Sequence, residues 1–375
     1  MEFILKENLI LLSFFLVYFL FFKDISNLTV ESKANLIIVF SFISVFILFI
    51  DYKKIKIVKD INYIKAFFLE FLVFFLGCFL YSFFMSYFLN FELFYHFNDL
   101  LIYLPLILIF NIGLTFLGYR EKNDLFIYGN KFLIFRKTVL KIFFIPFIYS
   151  ATFDCLNRIL MIDDWDLRYI DYYFYIFGLT IDVTIAFFGY AFSSNLLNNE
   201  IKSVDNTLKG WVVCIICYPP FFYFYQLFLS QADQYTWKDW AIGAWYYYPW
   251  LFLIVSTWII YWMSTFSFGF KFSNLTWRGL VKTGMYYYIK HPAYLSKNIY
   301  WWLYTVPFFG VYGFDIITNI IALATTNLIY YARARTEEQH LMRFEEYREY
   351  NEWIKQNGLW AKFKKYVNKM KAHQD

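Results

Sequence analysis

The feature that most constrains this chain is a series of apolar stretches, each about 15–25 residues long, separated by short polar segments. A helix that crosses a bilayer needs roughly 20 mostly apolar residues. The chain is 60% hydrophobic, whereas an ordinary soluble domain is about 45–50% apolar. We therefore predict an all-α, polytopic membrane protein. Its transmembrane helices, about ten in number, are expected at 8–22, 34–50, 66–89, 100–118, 139–161, 172–192, 211–229, 241–268, 298–312 and 315–332.

The basic residues alternate between the loops that join these stretches. On the predicted topology about 28 Lys and Arg lie on one side and about four on the other, as the positive-inside rule requires. If the number of spans were wrong by an odd number, the basic loops would no longer alternate between the two sides. We therefore expect an even number of spans with both termini cytoplasmic. A Phe-, Ile-, Lys- and Asn-rich composition indicates an AT-rich genome, and we expect a bacterial inner membrane. The net charge of +5 is no evidence for a nucleic-acid partner.

One carboxylate lies well inside a predicted span. Asp182 is a candidate functional residue, because an ionisable side chain within a membrane is costly. Asp182 could equally cap a neighbouring helix or accept a hydrogen bond from Thr180 or Thr184. The pair Asp154 and Arg158, four residues apart, is interpreted as an ion pair at a helix end.

Prolines in the seventh and eighth spans predict the shape of those helices, and two cysteines in the seventh span raise the question of a metal site. Pro219-Pro220 and Pro249 are predicted to kink their helices. Cys214-x-x-Cys217 has the spacing of a metal or redox pair. It lies in an apolar run without a second pair, so we interpret both cysteines as packing residues and expect no metal site.

Two polar clusters stand near the C-terminal end, separated by an apolar run. Residues 284–298 read Gly-Met-Tyr-Tyr-Tyr-Ile-Lys-His-Pro-Ala-Tyr-Leu-Ser-Lys-Asn, and residues 333–341 read Arg-Ala-Arg-Thr-Glu-Glu-Gln-His-Leu. Pro307, Gly310 and Gly313 break the run between them. If both halves are helices, this break is the tip of a hairpin, and the two clusters return to the same membrane face and can form one site.

The first limb of this hairpin is short. Its roughly 15 residues extend about 22 Å, less than the roughly 30 Å of a hydrocarbon core. The cytoplasmic start of the limb is therefore expected to be recessed. His291, Tyr294 and Asn298 would then line a pocket at the membrane boundary.

The second cluster places Arg333 and Glu337 on one helix face, with His340 following on the same side. Arg335 and Glu338 lie on a neighbouring face. A helix end stabilised by ion pairs is one interpretation, but Arg before Glu is the less favourable order along the helix dipole. Two adjacent carboxylates near a His suit a polar ligand better.

These motifs together resemble the isoprenylcysteine carboxyl methyltransferase family, which is grouped with the phospholipid N-methyltransferases. The family pattern is Arg-His-Pro-x-Tyr-x-Gly, a helical hairpin, then Arg-x-x-x-Glu-Glu followed by Leu and Tyr-x-x-Tyr. The matching residues here are Gly284, Tyr286, His291-Pro292-Ala293-Tyr294, Arg333, Glu337-Glu338, Leu341 and Tyr347-Arg348-Glu349-Tyr350. Lys290 stands in place of the family Arg, and Ser296 in place of the Gly.

The resemblance implies S-adenosylmethionine as the cofactor and a lipidic acceptor, either an isoprenylcysteine-like carboxylate or a phospholipid amine. Arg333 and Arg335 would be catalytic and neutralise an attacking carboxylate or a lipid phosphate. Methyl transfer is an in-line displacement, which needs no metal. The residues implied to bind the cofactor are Tyr286, Lys290, His291, Pro292, Tyr294, Asn298, Glu337, Glu338 and His340.

The resemblance divides the chain into three parts. Residues 1–268 form a transmembrane scaffold, residues 269–350 form the methyltransferase core, and residues 351–375 form a basic, aromatic tail suited to the membrane interface. Two alternatives stay open. One is a membrane transporter that uses Asp182, and the other is a non-catalytic membrane scaffold that kept the fold.

Overall fold

The computed structural model describes residues 28–49, 61–90, 97–117, 131–222 and 235–371. Almost all regular structure in these ranges is helical, as the sequence predicts. The helices are α1 Val30–Phe49, α2 Ile61–Phe83, α3 Phe97–Leu117, α4 Lys131–Leu160, α5 Ile170–Ala191, α6 Leu208–Ile215, α7 Trp237–Ala241, α8 Tyr247–Phe268, α9 Pro292–Thr305, α10 Phe314–Leu341, α11 Glu345–Asn357 and α12 Leu359–Lys371.

Four described helices are long and apolar enough to cross a membrane. They are Phe67–Phe88, Lys131–Leu160, Leu167–Ala191 and Tyr247–Lys271. Together with the helical content they support an all-α integral membrane protein. The predicted number of about ten spans is not confirmed. The first predicted span, 8–22, lies outside the described residues.

The seventh predicted span differs from the structure in its described part. Helix α6 has only 8 residues and ends at Ile215. Turns follow it through the Pro219-Pro220 pair, because proline has no N–H to donate and clashes with the preceding helical turn. The prediction of one continuous helix over 211–229 is therefore wrong as far as residue 222.

The predicted kink at Pro249 is also wrong. Pro249 is the third residue of α8. In the first turn of a helix the N–H groups have no intrahelical partner, so a proline there costs nothing and favours the helix start.

The main core lies between α4 and its neighbours α2 and α5. Phe144 of α4 stacks on Tyr190 of α5 with ring centroids 4.9 Å apart. Both side chains are fully buried, and burying one such aromatic side chain stabilises by roughly 1.5–3 kcal/mol. Helix α8 then crosses the far side of α5. A Cβ at Gly178 of α5 would lie 1.3 Å from the indole Nε1 of Trp262, so this close crossing requires glycine.

Helices α9 and α10 form the predicted hairpin. Val306 ends α9 in a left-handed conformation with φ 43°, and Gly310 and Gly313 turn the chain with φ 76° and φ 60°. Asn319 then donates a hydrogen bond of 3.2 Å to the carbonyl of Pro307, which fixes the tip to α10. Helix α9 is about 21 Å long and α10 about 42 Å. Because α10 continues to Leu341, the second polar cluster lies on the same helix as the second limb.

A two-residue ladder joins the loops on either side of α6–α8. Strand β1, Ser203–Val204, pairs antiparallel with strand β2, Thr276–Trp277. Helix α11 covers this ladder, where Trp277 stacks on Phe344 with centroids 4.7 Å apart. The loop after α5 is thereby attached to the loop that leads into the hairpin.

Candidate active site

The first polar cluster is held by the start of α9. His291 caps the helix and Pro292 is its first residue, where the fixed φ of proline suits the helix start. His291 and Tyr294 therefore lie one turn apart on one face, with rings nearly parallel and centroids 5.7 Å apart. The buried Ser296 donates to the carbonyl of Ala293 at 3.1 Å and takes no part in this face.

Glu338 joins the two clusters. Its Oε1 lies 2.8 Å from Nε2 of His291 and 2.8 Å from Nζ of Lys290, and its Oε2 lies 3.4 Å from Nη1 of Arg335. Burial acts to raise the pKa of this carboxyl, but the hydrogen bonds and charges of His291 and Lys290 lower it to about 2. Glu338 is therefore ionised and fully engaged in fastening α9 to α10.

Glu337 has a different environment. Its Oε2 accepts a hydrogen bond of 3.0 Å from the hydroxyl of Tyr294, and its Oε1 accepts none from the residues that the structure describes. Burial raises the pKa of the nearby Tyr286 well above its usual range, and the charges of Glu337 and Asp182 act in the same direction. Both carboxylates line the same cavity as this phenol.

Arg333 is a buried cation, 7% exposed. Its guanidinium lies 5.3 Å from the ring centroid of Tyr294 and 5.5 Å from that of Tyr218, and its Nη2 donates to Oδ1 of Asn274 at 3.0 Å. Each cation–π contact is worth about 0.5–2 kcal/mol. Within the described ranges no carboxylate lies at ion-pair distance from this guanidinium. Arg333 can therefore receive an anionic group.

A cavity of about 450 Å³ connects these side chains, within the range of roughly 300–1,000 Å³ that is usual for small-molecule sites. Six predicted site residues line it, namely Tyr286, Lys290, His291, Tyr294, Arg333 and Glu337. Asp182, Lys271, Arg278 and Lys297 are the other charged residues of its lining. One apolar wall comes from α4 and α5, which the sequence assigns to the scaffold, through the side chains of Phe144, Phe147, Ile148, Leu179, Val183 and Ala186. Further apolar side chains come from α8 and from the loop that follows it.

Four predicted site residues, besides His340, do not line this cavity. Pro292 starts α9, and Glu338 holds the two helices together as described. Arg335 is half-exposed and contacts only Glu338 among the described residues. Asn298 has a buried Oδ1 without a hydrogen-bond partner in the described part of the chain. The cofactor or catalytic roles of these residues stay predictions.

His340 lines a second and much smaller cavity, of about 30 Å³, together with Asp205. Its side chain is 3% exposed, and Nε2 lies 3.5 Å from Oγ of Ser203. Burial lowers the pKa of His340 to about 4, although the charge of Asp205 opposes this shift. His340 is therefore neutral at pH 7, and its assignment to cofactor binding stays a prediction.

The sequence assigned no role in the site to several residues that shape it. Asn351 of α11 accepts a hydrogen bond of 2.7 Å from Lys290. Tyr350 donates to the carbonyl of Tyr286 at 2.7 Å, and Tyr347 and Tyr350 both line the cavity. The Tyr-x-x-Tyr spacing was a usable signal for the two tyrosines. No sequence pattern connects Asn351 with Lys290.

The fold and the site define a class, namely helical membrane proteins whose ligand cavity opens at the polar end of a hairpin. Residues 250–343 match the family model described as Isoprenylcysteine carboxyl methyltransferase (ICMT) family. This match confirms the resemblance drawn from the motifs and includes His291, Arg333 and Glu337. No curated protein and no solved structure matches the chain. The family is one of methyltransferases, which supports a membrane methyltransferase.

Proposed function

We propose that this protein is an integral-membrane methyltransferase that moves a methyl group from S-adenosylmethionine to a lipidic acceptor. The observation that carries the proposal is the shared cavity, in which the family motif residues face the apolar wall of α4 and α5. A cofactor with charged groups and an acceptor with a hydrocarbon chain need these two kinds of surface side by side.

The side chains of the cavity fit the cofactor. Glu337 offers a free carboxylate oxygen, Oε1, to the ribose hydroxyls or to the ammonium group. Arg333 offers a buried cation to a carboxylate. Tyr286, Tyr294 and Trp301 offer aromatic faces to the adenine or to the sulfonium, a contact worth about 0.5–2 kcal/mol. When bound, the cofactor supplies an electrophilic methyl group on a sulfonium.

The contribution of the chain to such a transfer is positioning and exclusion of water. In-line attack requires the two reactants to be held about 3–3.5 Å apart. Glu338 fixes the distance between α9 and α10 through His291 and Lys290. Helix α11 covers the polar end of the cavity through the contacts of Asn351 and Tyr350. The buried walls then keep water away from the reacting atoms.

The tail supports a position at the cytoplasmic membrane interface. Helix α12 exposes Trp360, Phe363 and Tyr366 on one side and carries several lysines. An amphipathic helix of this kind binds an anionic interface through its apolar face and its cations. We infer that α12 lies in the cytoplasmic leaflet, with both termini cytoplasmic.

The experiment that tests the function is calorimetry of S-adenosylhomocysteine binding to the purified protein in detergent. We expect a Kd in the micromolar range for the wild type and no measurable binding for Glu337→Ala. The matched control is Glu349→Ala, an exposed glutamate on α11, which should bind as the wild type does. Absence of binding to wild-type protein that unfolds cooperatively on heating contradicts the proposal and favours the transporter or scaffold alternative.

A further inference from the structure

Asp182 of α5 faces the cavity and is bound to α8. Its Oδ2 accepts a hydrogen bond of 2.5 Å from the hydroxyl of Tyr261, and its Oδ1 accepts one of 2.8 Å from Thr265. The local partners considered from the sequence, Thr180 and Thr184, are not used, since Thr180 donates to the carbonyl of Ile176. Asp182 lies outside the range that matches the family, yet it lines the same cavity as the motif residues.

Among the described residues, no cation neutralises Asp182 directly. Across the ranges that the structure describes, no Lys, Arg or His nitrogen is at ion-pair distance from its carboxylate. Asp182 is half-buried in a helix long and apolar enough to span the membrane. An ionisable side chain within such a segment is costly and is a functional candidate by default. A neutral amide or hydroxyl could link the two helices at lower cost, so the presence of a carboxylate needs an explanation.

Lys297 of α9 supplies the opposite charge nearby. Its Nζ lies 4.4 Å from the ring centroid of Tyr261. It makes no hydrogen bond or ion pair with any described residue, and it lines the cavity. Tyr261 therefore has a carboxylate at its hydroxyl and an ammonium over its ring. Asp182 and Lys297 do not form an ion pair with each other.

We propose that the acceptor is a lipid hydroxyl, phenolic or alcoholic, that Asp182 takes its proton through Tyr261 during methylation, and that Lys297 stabilises the negative charge that develops on its oxygen. This inference rests on the proposed function and narrows its acceptor. A carboxylate acceptor is already ionised and needs no base. An ammonium acceptor needs a base but develops no negative charge, and Lys297 would repel it. A hydroxyl needs both a base for its proton and a cation for its developing negative charge.

The step balances with the groups present. The acceptor hydroxyl donates its proton to the Tyr261 oxygen while Tyr261 passes its own proton to Oδ2 of Asp182. The acceptor oxygen forms a bond to the methyl carbon, and the carbon–sulfur bond breaks with its electron pair left on sulfur. The sulfonium charge is lost, an ether is formed, and the proton leaves Asp182 for water after product release.

Binding of three probes with the same chain tests the acceptor class. The probes are 4-dodecylphenol, dodecanoate and dodecylamine, added to the S-adenosylhomocysteine complex in nanodiscs. We expect the phenol to bind at least tenfold more tightly than the other two, and Asp182→Asn and Tyr261→Phe each to weaken it at least tenfold. The controls on α8, Tyr247→Phe and Thr257→Val, lie outside the cavity wall and should change affinity less than twofold. Tightest binding of dodecanoate or dodecylamine, or no binding of any probe, overturns the proposal.

Transfer of a tritiated methyl group to 4-dodecylphenol tests the base. The labelled product should resist mild alkali, as an ether does and an ester does not. Asp182→Asn should lower the rate at pH 7 at least 100-fold, and the residual rate should rise about tenfold per pH unit because hydroxide must then take the proton. An unlabelled phenol, or a variant rate equal to that of the wild type, overturns the proposal.

The two proposals fail separately. The variants at Asp182 and Tyr261 and their two controls should bind S-adenosylhomocysteine within threefold of the wild type, because Asp182 and Tyr261 are assigned to the acceptor part of the cavity. If the wild type binds S-adenosylhomocysteine but prefers dodecanoate or dodecylamine, only the proposal of a hydroxyl acceptor is overturned. If the wild type does not bind S-adenosylhomocysteine, the proposed methyltransferase function is contradicted.

Discussion

The hydroxyl of Tyr294 donates a hydrogen bond of 3.0 Å to Oε2 of Glu337. This contact connects the first turn of α9 with the end of α10, across the open side of the hairpin. It also leaves Oε1 of Glu337 directed to no other described residue. The hydrogen bond therefore sets the orientation of the carboxylate that we assign to the cofactor.

Tyr294→Phe should weaken S-adenosylhomocysteine binding about tenfold, because a hydrogen bond to a charged group contributes about 1.5 kcal/mol or more. The aromatic ring stays, so the contact with Arg333 is kept. Calorimetry in detergent measures the effect. Tyr331→Phe, an exposed tyrosine on α10, is the control and should leave the Kd unchanged. If both substitutions changed the Kd equally, the assignment of Tyr294 to the cofactor site would be contradicted.

Arg333→Lys should lower the free energy of unfolding by about 2–3 kcal/mol, because a lysine cannot keep the planar stacking on tyrosine rings and the bond to Asn274 together. The thermal unfolding midpoint in detergent measures it. Arg343→Lys is the control, since Arg343 also bonds an asparagine, Asn206, but at an exposed position. Asn274→Ala should lower the free energy of unfolding by less in the Arg333→Lys variant than in the wild type, because Asn274 and Arg333 share one hydrogen bond.

Lys290→Met should weaken cofactor binding roughly tenfold, because Lys290 holds both Glu338 and Asn351 and neither contact survives. Lys290→Arg should retain most of the affinity, since the charge is kept. Lys355→Met removes an exposed ion pair with Glu352 and should have no effect. Wild-type affinity in Lys290→Met would show that α11 and Glu338 are held in place without it.

The hairpin is the part of the fold and site that the sequence predicted best. An apolar run broken by Pro307, Gly310 and Gly313 encodes a turn locally, and the i, i+4 spacing of Arg333 and Glu337 sets a helix face without reference to other segments. The sequence could not place Tyr218 and Asn274 around Arg333. These contacts join segments more than 50 residues apart along the chain, and no periodic pattern records them.

The apolar composition itself caused the errors. Residues 211–222 are as hydrophobic as a spanning helix, yet they form a short helix and turns, because hydropathy does not distinguish a membrane span from a buried turn. The partners of Asp182 show a different limit. The sequence offered Thr180, Thr184 or the cap of a neighbouring helix, whereas Tyr261 and Thr265 reach it from within α8. Only the crossing of α5 and α8 at Gly178 brings them together.

Stability should fall as the pH decreases from 6.5 towards 4, through His340. The unfolded chain protonates this side chain near its ordinary pKa of 6.5, whereas burial lowers the pKa in the fold to about 4. Between these values the unfolded state binds the extra proton, so acid favours unfolding, by about 2 kcal/mol at pH 5. Unfolding midpoints at pH 7.5 and pH 5 measure this, and His340→Gln should show a smaller difference. An identical difference in the variant would assign the effect to other groups.

Trp360 of α12 should lie within reach of lipid acyl chains. In nanodiscs that contain brominated lipids, Trp360→Phe should lose a quenched component of the tryptophan fluorescence. Trp353→Phe is the control, because Trp353 packs against Tyr287, with centroids 4.8 Å apart, in the covering layer of the site. Equal quenching before and after the Trp360 substitution would place α12 in water.

The ladder between β1 and β2 makes the two ends of the cavity depend on each other. It ties the loop after α5, the helix of Asp182, to the loop that leads into α9, the helix of His291 and Lys297. Any movement of the hairpin would therefore pull on the loop that follows the helix of Asp182. The C-terminal segment that carries the family motifs is consequently not self-contained. Detached from α4 and α5, it would keep its motif residues and lose one wall of the cavity that they line.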